Sequence, residues 1–254
     1  MKVNQWINAI FSPTGGTAKV ARSIAKGSGL EVREVDLSAP VTPEDLPEGA
    51  VLAAAVPVFG GRVPAAALER LAALKGKGNP AVAVAVYGNR AYEDALLELK
   101  NALEQGGFQV VAAGAFIAEH SIVRSIAAGR PDGEDTRAAE AFGASVAAKL
   151  AAGDSFAPLQ VPGSPEYKEY KGLPFHPKAG RSCTKCGTCA ASCPVGAIPV
   201  EDPSGTDEAR CISCMRCVAV CPEGARALPA AALLGSKTML MACASKPRKP
   251  EQFL

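Results

Sequence analysis

Aromatic residues make up only 5% of this 254-residue chain, histidine occurs twice, and none of the nine cysteines falls within the first 182 residues. Long apolar runs are also missing. The longest, around Ala50–Gly61, is interrupted by Pro57 and falls short of the ~18 residues that span a bilayer. Asn4, Gln5 and Asn8 break any apolar stretch at the N-terminus, so no secretory signal peptide is expected, and a reducing, cytoplasmic location follows. Lysine and arginine exceed acidic residues by only two, with no basic block, which argues against a nucleic-acid partner. The tail Lys246–Lys249 is basic but too short to imply a membrane or nucleic acid, and reads as solvated. What is abundant is apolar: 48% hydrophobic residues are ample for a core and exclude wholesale disorder.

The first 150 residues alternate between strand-like and helix-like segments. Trp6–Phe11, Leu30–Leu37, Val51–Val56, Ala81–Val86 and Phe108–Ile117 read as strands; Val51–Val56 and Ala81–Val86 are continuous apolar runs, as in strands buried on both faces. Between them, Thr17–Lys26, Pro64–Leu74, Tyr92–Gln105 and Asp135–Leu150 carry apolar residues at helical spacing, with Gly106 and Gly107 stopping the third helix. Only the crossover Ser38–Gly49 lacks a helix pattern. Five strands with intervening helices predict a doubly wound, five-stranded parallel α/β sheet, whose ligands bind at the carboxyl ends of the strands.

Three loops at those ends carry unusual residues. Ser12-Pro13-Thr14-Gly15-Gly16-Thr17 opens directly into a helix, where hydroxyls and free N–H groups form an anion cradle; a plain capped turn is the alternative. It has neither a Walker lysine pattern nor Gly-x-Gly-x-x-Gly, which argues against a nucleoside triphosphatase or a dinucleotide fold. Pro57-Val58-Phe59-Gly60-Gly61-Arg62-Val63-Pro64 and Tyr87-Gly88-Asn89-Arg90-Ala91-Tyr92 each combine glycine with an aromatic, suited to backbone approach and stacking against a flat ring; ordinary packing of the aromatics is the alternative. Arg62 and Arg90 offer positive charge there or are solvated. His120, in Glu119-His120-Ser121 after the fifth strand, is either a structural histidine or a donor at the same edge. His176 reads as a surface residue.

Eight of the nine cysteines form two runs: Cys183-x2-Cys186-x2-Cys189-x3-Cys193-Pro194 and Cys211-x2-Cys214-x2-Cys217-x3-Cys221-Pro222. A structural zinc site has no use for a third cysteine at x2 spacing, and a disulfide framework needs an oxidising compartment. A thioredoxin-like motif uses one CxxC rather than eight cysteines. The two halves repeat: each continues Cys-Pro-x-Gly-Ala and then an apolar residue, Ile198 or Leu228, which predicts a pseudo-twofold unit. Cys243 stands outside both runs as an ordinary small apolar residue.

Both runs resemble the bacterial two-[4Fe–4S] ferredoxin module. That resemblance implies a small α+β domain in which Cys183, Cys186, Cys189 and Cys221 hold one cluster. Cys211, Cys214, Cys217 and Cys193 hold the other. The phosphate-type loop is similar to that of flavodoxins, with Gly16 where asparagine is common. Together with the PV[YF]GGRVP-type stretch at Pro57–Pro64 and the YGNRAY-type stretch at Tyr87–Tyr92, nearly the whole chain resembles flavodoxin-like/ferredoxin fusion proteins of anaerobic prokaryotes. The resemblance implies FMN held by Ser12, Thr14, Gly15, Gly16 and Thr17 at one loop, Pro57, Val58, Phe59, Gly60 and Gly61 at the second, and Tyr87, Gly88, Asn89, Arg90 and Tyr92 at the third.

The expected organisation is a flavodoxin-like domain over 1–152, a proline-rich linker over 153–180 draped on it, a 2[4Fe–4S] domain over 181–229 and a C-terminal tail over 230–254. The expected function is electron transfer between FMN and two [4Fe–4S] clusters, serving redox partner proteins or a small-molecule acceptor. The alternative is an FMN-dependent reductase of a small substrate fed by the clusters; a redox sensor with structural clusters fits poorly with the phosphate-type loop. Two clusters with thiolate ligands would move the formal charge of +2 to about −2, so the basic sequence pI of 8.0 misleads about partners.

Overall fold

The computed structural model describes residues 3–153 and 156–254. The first two residues of the expected first domain, and residues 154 and 155 of the expected linker, lie outside the described residues. Among those described, the chain runs β1 (Gln5–Ile10), α1 (Gly16–Ser28), β2 (Glu31–Asp36), β3 (Glu44–Asp45), β4 (Ala50–Pro57), α2 (Ala65–Leu71), β5 (Leu74–Lys75), β6 (Pro80–Tyr87), α3 (Ala95–Gln105), β7 (Gln109–Ile117) and α4 (Gly133–Ala152). It continues through β8 (Lys178–Ala179), α5 (Thr188–Ala191), α6 (Arg216–Ala219), β9 (Arg226–Ala227), α7 (Ala230–Ala244) and β10 (Glu251–Phe253).

The main sheet has the order β10-β7-β6-β4-β1-β2. Its five long strands are parallel and, counted among themselves, run 2-1-3-4-5, the flavodoxin-like doubly wound order with its switch point between β1 and β4. Alternate strand residues face opposite helical layers. Trp6, Val51 and Val84 pack with Ile24, Phe142 and Val146 of α1 and α4. Ile7, Leu52 and Ala83 pack with Leu71, Leu96 and Leu99 of α2 and α3. Helix α4 begins on a capping box, Asp132 accepting from Glu134 and Asp135 N–H while the Asp135 carboxylate accepts from Asp132 N–H. The crossover from β2 to β4 contains no helix, only β3 paired with β5.

The C-terminal segment differs from the expected tail. Helix α7 lies beside the cleft, and β10 adds to β7 antiparallel as a sixth strand, pairing Glu251 with Ala115 and Phe253 with Ala113. The basic stretch before β10 is bonded to the first domain: Lys246 O accepts from Asn89 Nδ2, Arg248 N–H donates to Asn89 Oδ1, and Arg248 O accepts from Arg130. Covering β7 in this way protects a sheet edge that would otherwise expose unpaired backbone groups.

The segment between the two units lies along the first. Leu159 is buried in its core, and the N–H groups of Ser164 and Lys168 donate to the Asp94 carboxylate, which those bonds hold below its ordinary pKa. Arg62 lies over the Tyr167 ring and donates to Lys168 O.

The cysteine-rich unit is small. Its buried core cluster is Cys189, Ala190 and Ile198, with Cys193 and Cys217 packed against it. Its two halves match in detail: Ala197 N–H donates to Cys193 Sγ and Ala225 N–H to Cys221 Sγ, both at 3.2 Å. This pairing corrects the repeat read from sequence, because the residue equivalent to Ile198 is Arg226 rather than Leu228.

Candidate functional site

Two bonds between the units set their relation at the carboxyl edge of the sheet. Arg70 of α2 donates to Leu37 O at 2.7 Å and to Pro194 O, and Arg216 of α6 donates to Pro13 O at 3.1 Å. The second run of cysteines therefore lies against the loop that follows β1.

That loop is built as an anion cradle. Helix α1 starts after Gly15, which adopts φ 90°, and its first N–H groups have no intrahelical acceptors. Ser12 Oγ accepts from Ala18 N–H at 2.9 Å, so Ser12 orders the loop from within. A cavity of about 370 Å³ adjoins Thr14 and Gly16 and is lined by the cations Lys19, Arg124 and Arg130. Glu119 also lines it, bonded to Arg124 and to Gly129 N–H; those bonds hold its carboxyl below the ordinary carboxylate range. On the opposite wall stand Met215, Val218 and Ala219 of the cysteine-rich unit.

A second cavity, of about 60 Å³, shares Thr14, Gly16, Glu119 and Ser121 with the first and reaches Thr17, Pro57, Val58, Phe59, Tyr87, Gly88 and Cys214. A third, of about 160 Å³, shares Val58, Phe59, His120 and Ser121 with the second and is lined by Gly60, Arg90, Tyr170, Phe175, Ile212 and Met239. The three make a continuous cleft of anion-binding, aromatic and apolar parts between the two units. Its size and donor set fit an anionic cofactor with a planar ring.

The structure brings Thr14, Gly16, Thr17, Pro57, Val58, Phe59, Gly60, Tyr87, Gly88 and Arg90 to these cavities. Asn89 and Tyr92, expected at the cofactor, are turned elsewhere. Asn89 is buried and spends its amide on Ala244 O, Lys246 O and Arg248 N–H. Tyr92 O–H donates to Glu251 at 2.8 Å, and burial together with that carboxylate pushes its pKa up. Gly61 does not line the cleft. The loop glycines also have a packing reason that the sequence does not show: a Cβ on Gly60 would stand 2.2 Å from the Tyr170 ring, and one on Gly88 2.5 Å from His120.

Arg62 makes a largely buried ion pair with Glu98, which also accepts from Val63 N–H at 2.8 Å. Arg62 thus fixes its own loop instead of charging the cleft. Arg90 pairs with Glu93 while lining the apolar cavity. His120 Nδ1 accepts from Ile122 and Val123 N–H, and burial, with Arg90 nearby, lowers its pKa and keeps it neutral. His176 is not a free surface group: its Nδ1 lies 3.1 Å from Ser213 Oγ, between Cys211 and Cys214. Cys243 is exposed on α7.

Among the cysteines, Cys183, Cys186, Cys189 and Cys221 line one cavity, the fourth reaching it from the other run. Cys193, Cys211, Cys214 and Cys217 form the second group. Burial and the neighbouring thiols push Cys214 up to about 12 and Cys217 to about 11, and burial raises Cys211 as well. Neutral buried thiols crowded in this way gain nothing from one another; as thiolates they need a metal charge at their centre. Among the described residues no three His, Cys, Asp or Glu side chains are placed to hold a single ion. The residues of the first set line one shared cavity. Arg216 and Arg226, both beside these cysteines, were not singled out by sequence; Arg226 had a signal, standing where the first half has isoleucine.

Residues 182–225 match the family of 4Fe-4S dicluster domains. No curated protein matches the chain. Among solved structures it is similar to a flavodoxin from the domain Archaea, at 16% identity and TM-score 0.43, over 58% of this chain and 99% of that one. Similar too are the flavodoxin of Streptococcus pneumonia TIGR4, at 17% identity and TM-score 0.39 over 59% and 98%, and flavodoxin 1 from Bacillus cereus, at 16% and 0.39 over 59% and 98%. The strand order carries the fold assignment by itself. The chain is thus an α/β domain of flavodoxin-like topology joined to a 4Fe–4S dicluster domain.

Proposed function

We propose that the chain transfers electrons between FMN, held in the cleft at the carboxyl edge of the sheet, and two [4Fe–4S] clusters. The observation that carries this reading is the position of Cys214: one side chain of the second cysteine group lines the same cavity as Thr14, Thr17, Phe59 and Tyr87. A residue of the second cysteine group therefore stands at the wall of the proposed flavin site, and the chain would supply its own redox partner at high local concentration. FMN would supply exchange between two-electron and one-electron carriers, and each cluster a single-electron store.

The residues have separable tasks. The first-turn N–H groups of α1, with Lys19 and Arg124, would receive the phosphate, and Phe59 would lie along the ring, while the Tyr87 ring packs edge-on against Tyr92 and supports the wall from the core; Cys183, Cys186, Cys189 and Cys221 would hold one cluster and Cys193, Cys211, Cys214 and Cys217 the other. His120 stays neutral and acts as a rigid acceptor for its own loop. Arg216 ties the α6 side of the second cysteine group to Pro13 and so fixes the gap between the sites. The domain limits we adopt are 1–152 and 181–229, with α7 and β10 belonging structurally to the first unit.

A second reading, reduction of a small molecule at the flavin, draws on the 160 Å³ cavity, whose walls Phe59, Tyr170, Phe175 and Met239 suit a flat apolar substrate. Anaerobic purification with flavin, iron and sulfide counted per chain tests the main reading. One FMN and about eight irons, bleaching together under dithionite, are expected. Iron without flavin would remove the flavoprotein half.

A further inference from the structure

Arg226 is one of the largest fully buried side chains in the protein, 2% exposed, at the start of β9. Among the described residues no carboxylate pairs with it. Its guanidinium donates instead to neutral acceptors: Thr206 Oγ at 2.8 Å, Pro203 O and Gly205 O at 2.6 Å each, and Pro177 O at 3.3 Å. Its Nε–H is buried with no partner. A permanently charged group held out of water needs a counter-charge, and carbonyl dipoles supply orientation without net charge.

Clusters on the cysteines would supply that counter-charge. Arg226 lines the cavity formed by Cys183, Cys186, Cys189 and Cys221, together with Pro203, whose carbonyl it holds. The pseudo-twofold mate of Arg226 is Ile198, buried and apolar, so the two halves differ in charge at this position.

We propose that Arg226 is the internal counter-cation of the dicluster domain, placed at the cavity of the first cysteine group to stabilise the more negative, reduced state of the cluster there and so raise its reduction potential. This rests on the reading of both cysteine groups as [4Fe–4S] ligands. Arg226 is a positioning residue in this account: it touches no substrate and exchanges no proton. The asymmetry has a consequence for direction, because a cation felt unequally by two otherwise similar clusters makes one of them the preferred resting place for an electron.

The test is an EPR-monitored redox titration of the anaerobically purified holoprotein, comparing the parent with Arg226→Gln, Arg226→Met and Arg226→Lys. Loss of the charge in Arg226→Gln and Arg226→Met should lower at least one cluster potential by tenfold or more in the reduction equilibrium, about 59 mV for one electron. Arg226→Lys should stay near the parent. Unchanged potentials in Arg226→Gln and Arg226→Met, with full iron content, overturn the proposal. Should those two variants fail to retain iron, retention becomes the readout: a counter-cation requires Arg226→Lys to keep parental iron, whereas equal loss in all three marks a mere anchor for the carbonyls of residues 177 and 203–205 and refutes the charge role. A parent protein lacking the eight irons would instead overturn the cluster reading on which the inference stands.

Discussion

Replacing Asn89 separates two roles that its place in the Tyr87–Tyr92 loop makes easy to confuse. As a cofactor contact, Asn89→Ala would release flavin and leave the rest of the chain in place. The structure gives a different result. The side chain makes three hydrogen bonds to the C-terminal segment, all at 2.9 Å or less, and is 3% exposed. At roughly 1 kcal/mol net per bond, with an added cost for carbonyls left unpaired, the loss comes to about 2–4 kcal/mol. Asn89 also sits at φ 65°, so alanine pays about 1 kcal/mol more than glycine for the backbone. For a domain of this size the expected fall in Tm is roughly 5–15 °C, with Asn89→Gly less affected than Asn89→Ala. Hydrogen exchange should show the amides of β10 losing protection first, since β10 is held by this clamp, the Tyr92–Glu251 bond and three ladder positions on β7. A Tm within about 1 °C of the parent, or lost flavin with β10 as protected as before, would refute the reasoning.

Other outcomes follow from the same geometry. Glu98→Ala removes the shared acceptor of Arg62 and Val63 N–H beneath the Pro57–Pro64 loop; stability should fall by roughly 3 kcal/mol in a urea titration, and an unchanged midpoint would contradict the pairing. His120 has its folded-state pKa below the ordinary 6.5 because burial disfavours the charged ring. Between the depressed value and 6.5 the unfolded chain binds more protons, so stability should rise with pH through that window and level off above it. His120→Asn, which can keep an acceptor for the Ile122 and Val123 N–H groups, should flatten that slope; a parental slope would point to another group. Stripping iron with a chelator should abolish exchange protection over residues 181–229 while the main sheet stays protected, because the small unit has only a three-residue core of its own. Retained protection there after iron loss would show that the unit folds without metal.

Much of the α/β domain was legible because strands buried on both faces read as continuous apolar runs. Val51–Val56 and Ala81–Val86 fall inside β4 and β6, and the helix between them loses only its ends, since Pro64 is its N-cap and Leu74 joins β5. The C-terminal segment was not legible. Helix α7 is apolar nearly all round, so it has no amphipathic period to read. Strand β10 is three residues long, and its partner Ala113–Ala115 is some 140 positions earlier. The cysteine runs were plain because their spacing carries the chemistry, and the dicluster match covers them. Arg226 was hidden by aligning Ile198 to the next apolar residue, when the bond from Ala225 N–H to Cys221 Sγ fixes the equivalence one step after Ala225. The Tyr87–Tyr92 loop shows the limit of reading a motif as ligand chemistry: Tyr87 and Gly88 border the cleft, with the Tyr87 ring packed into the core on Tyr92, while Asn89 and Tyr92 hold the chain's own C-terminal segment.

The central claim is that flavin and clusters share one molecule-internal path across the cavity where Cys214 meets the Thr14 and Tyr87 loops. Photoreducing the flavin in a flash and following cluster absorbance at several protein concentrations tests it most directly. The account predicts first-order electron arrival at the clusters with a rate independent of protein concentration, slowed by Arg216→Ala, which frees Pro13. A rate that scales with protein concentration, or clusters that stay oxidised beside a reduced flavin, would contradict it.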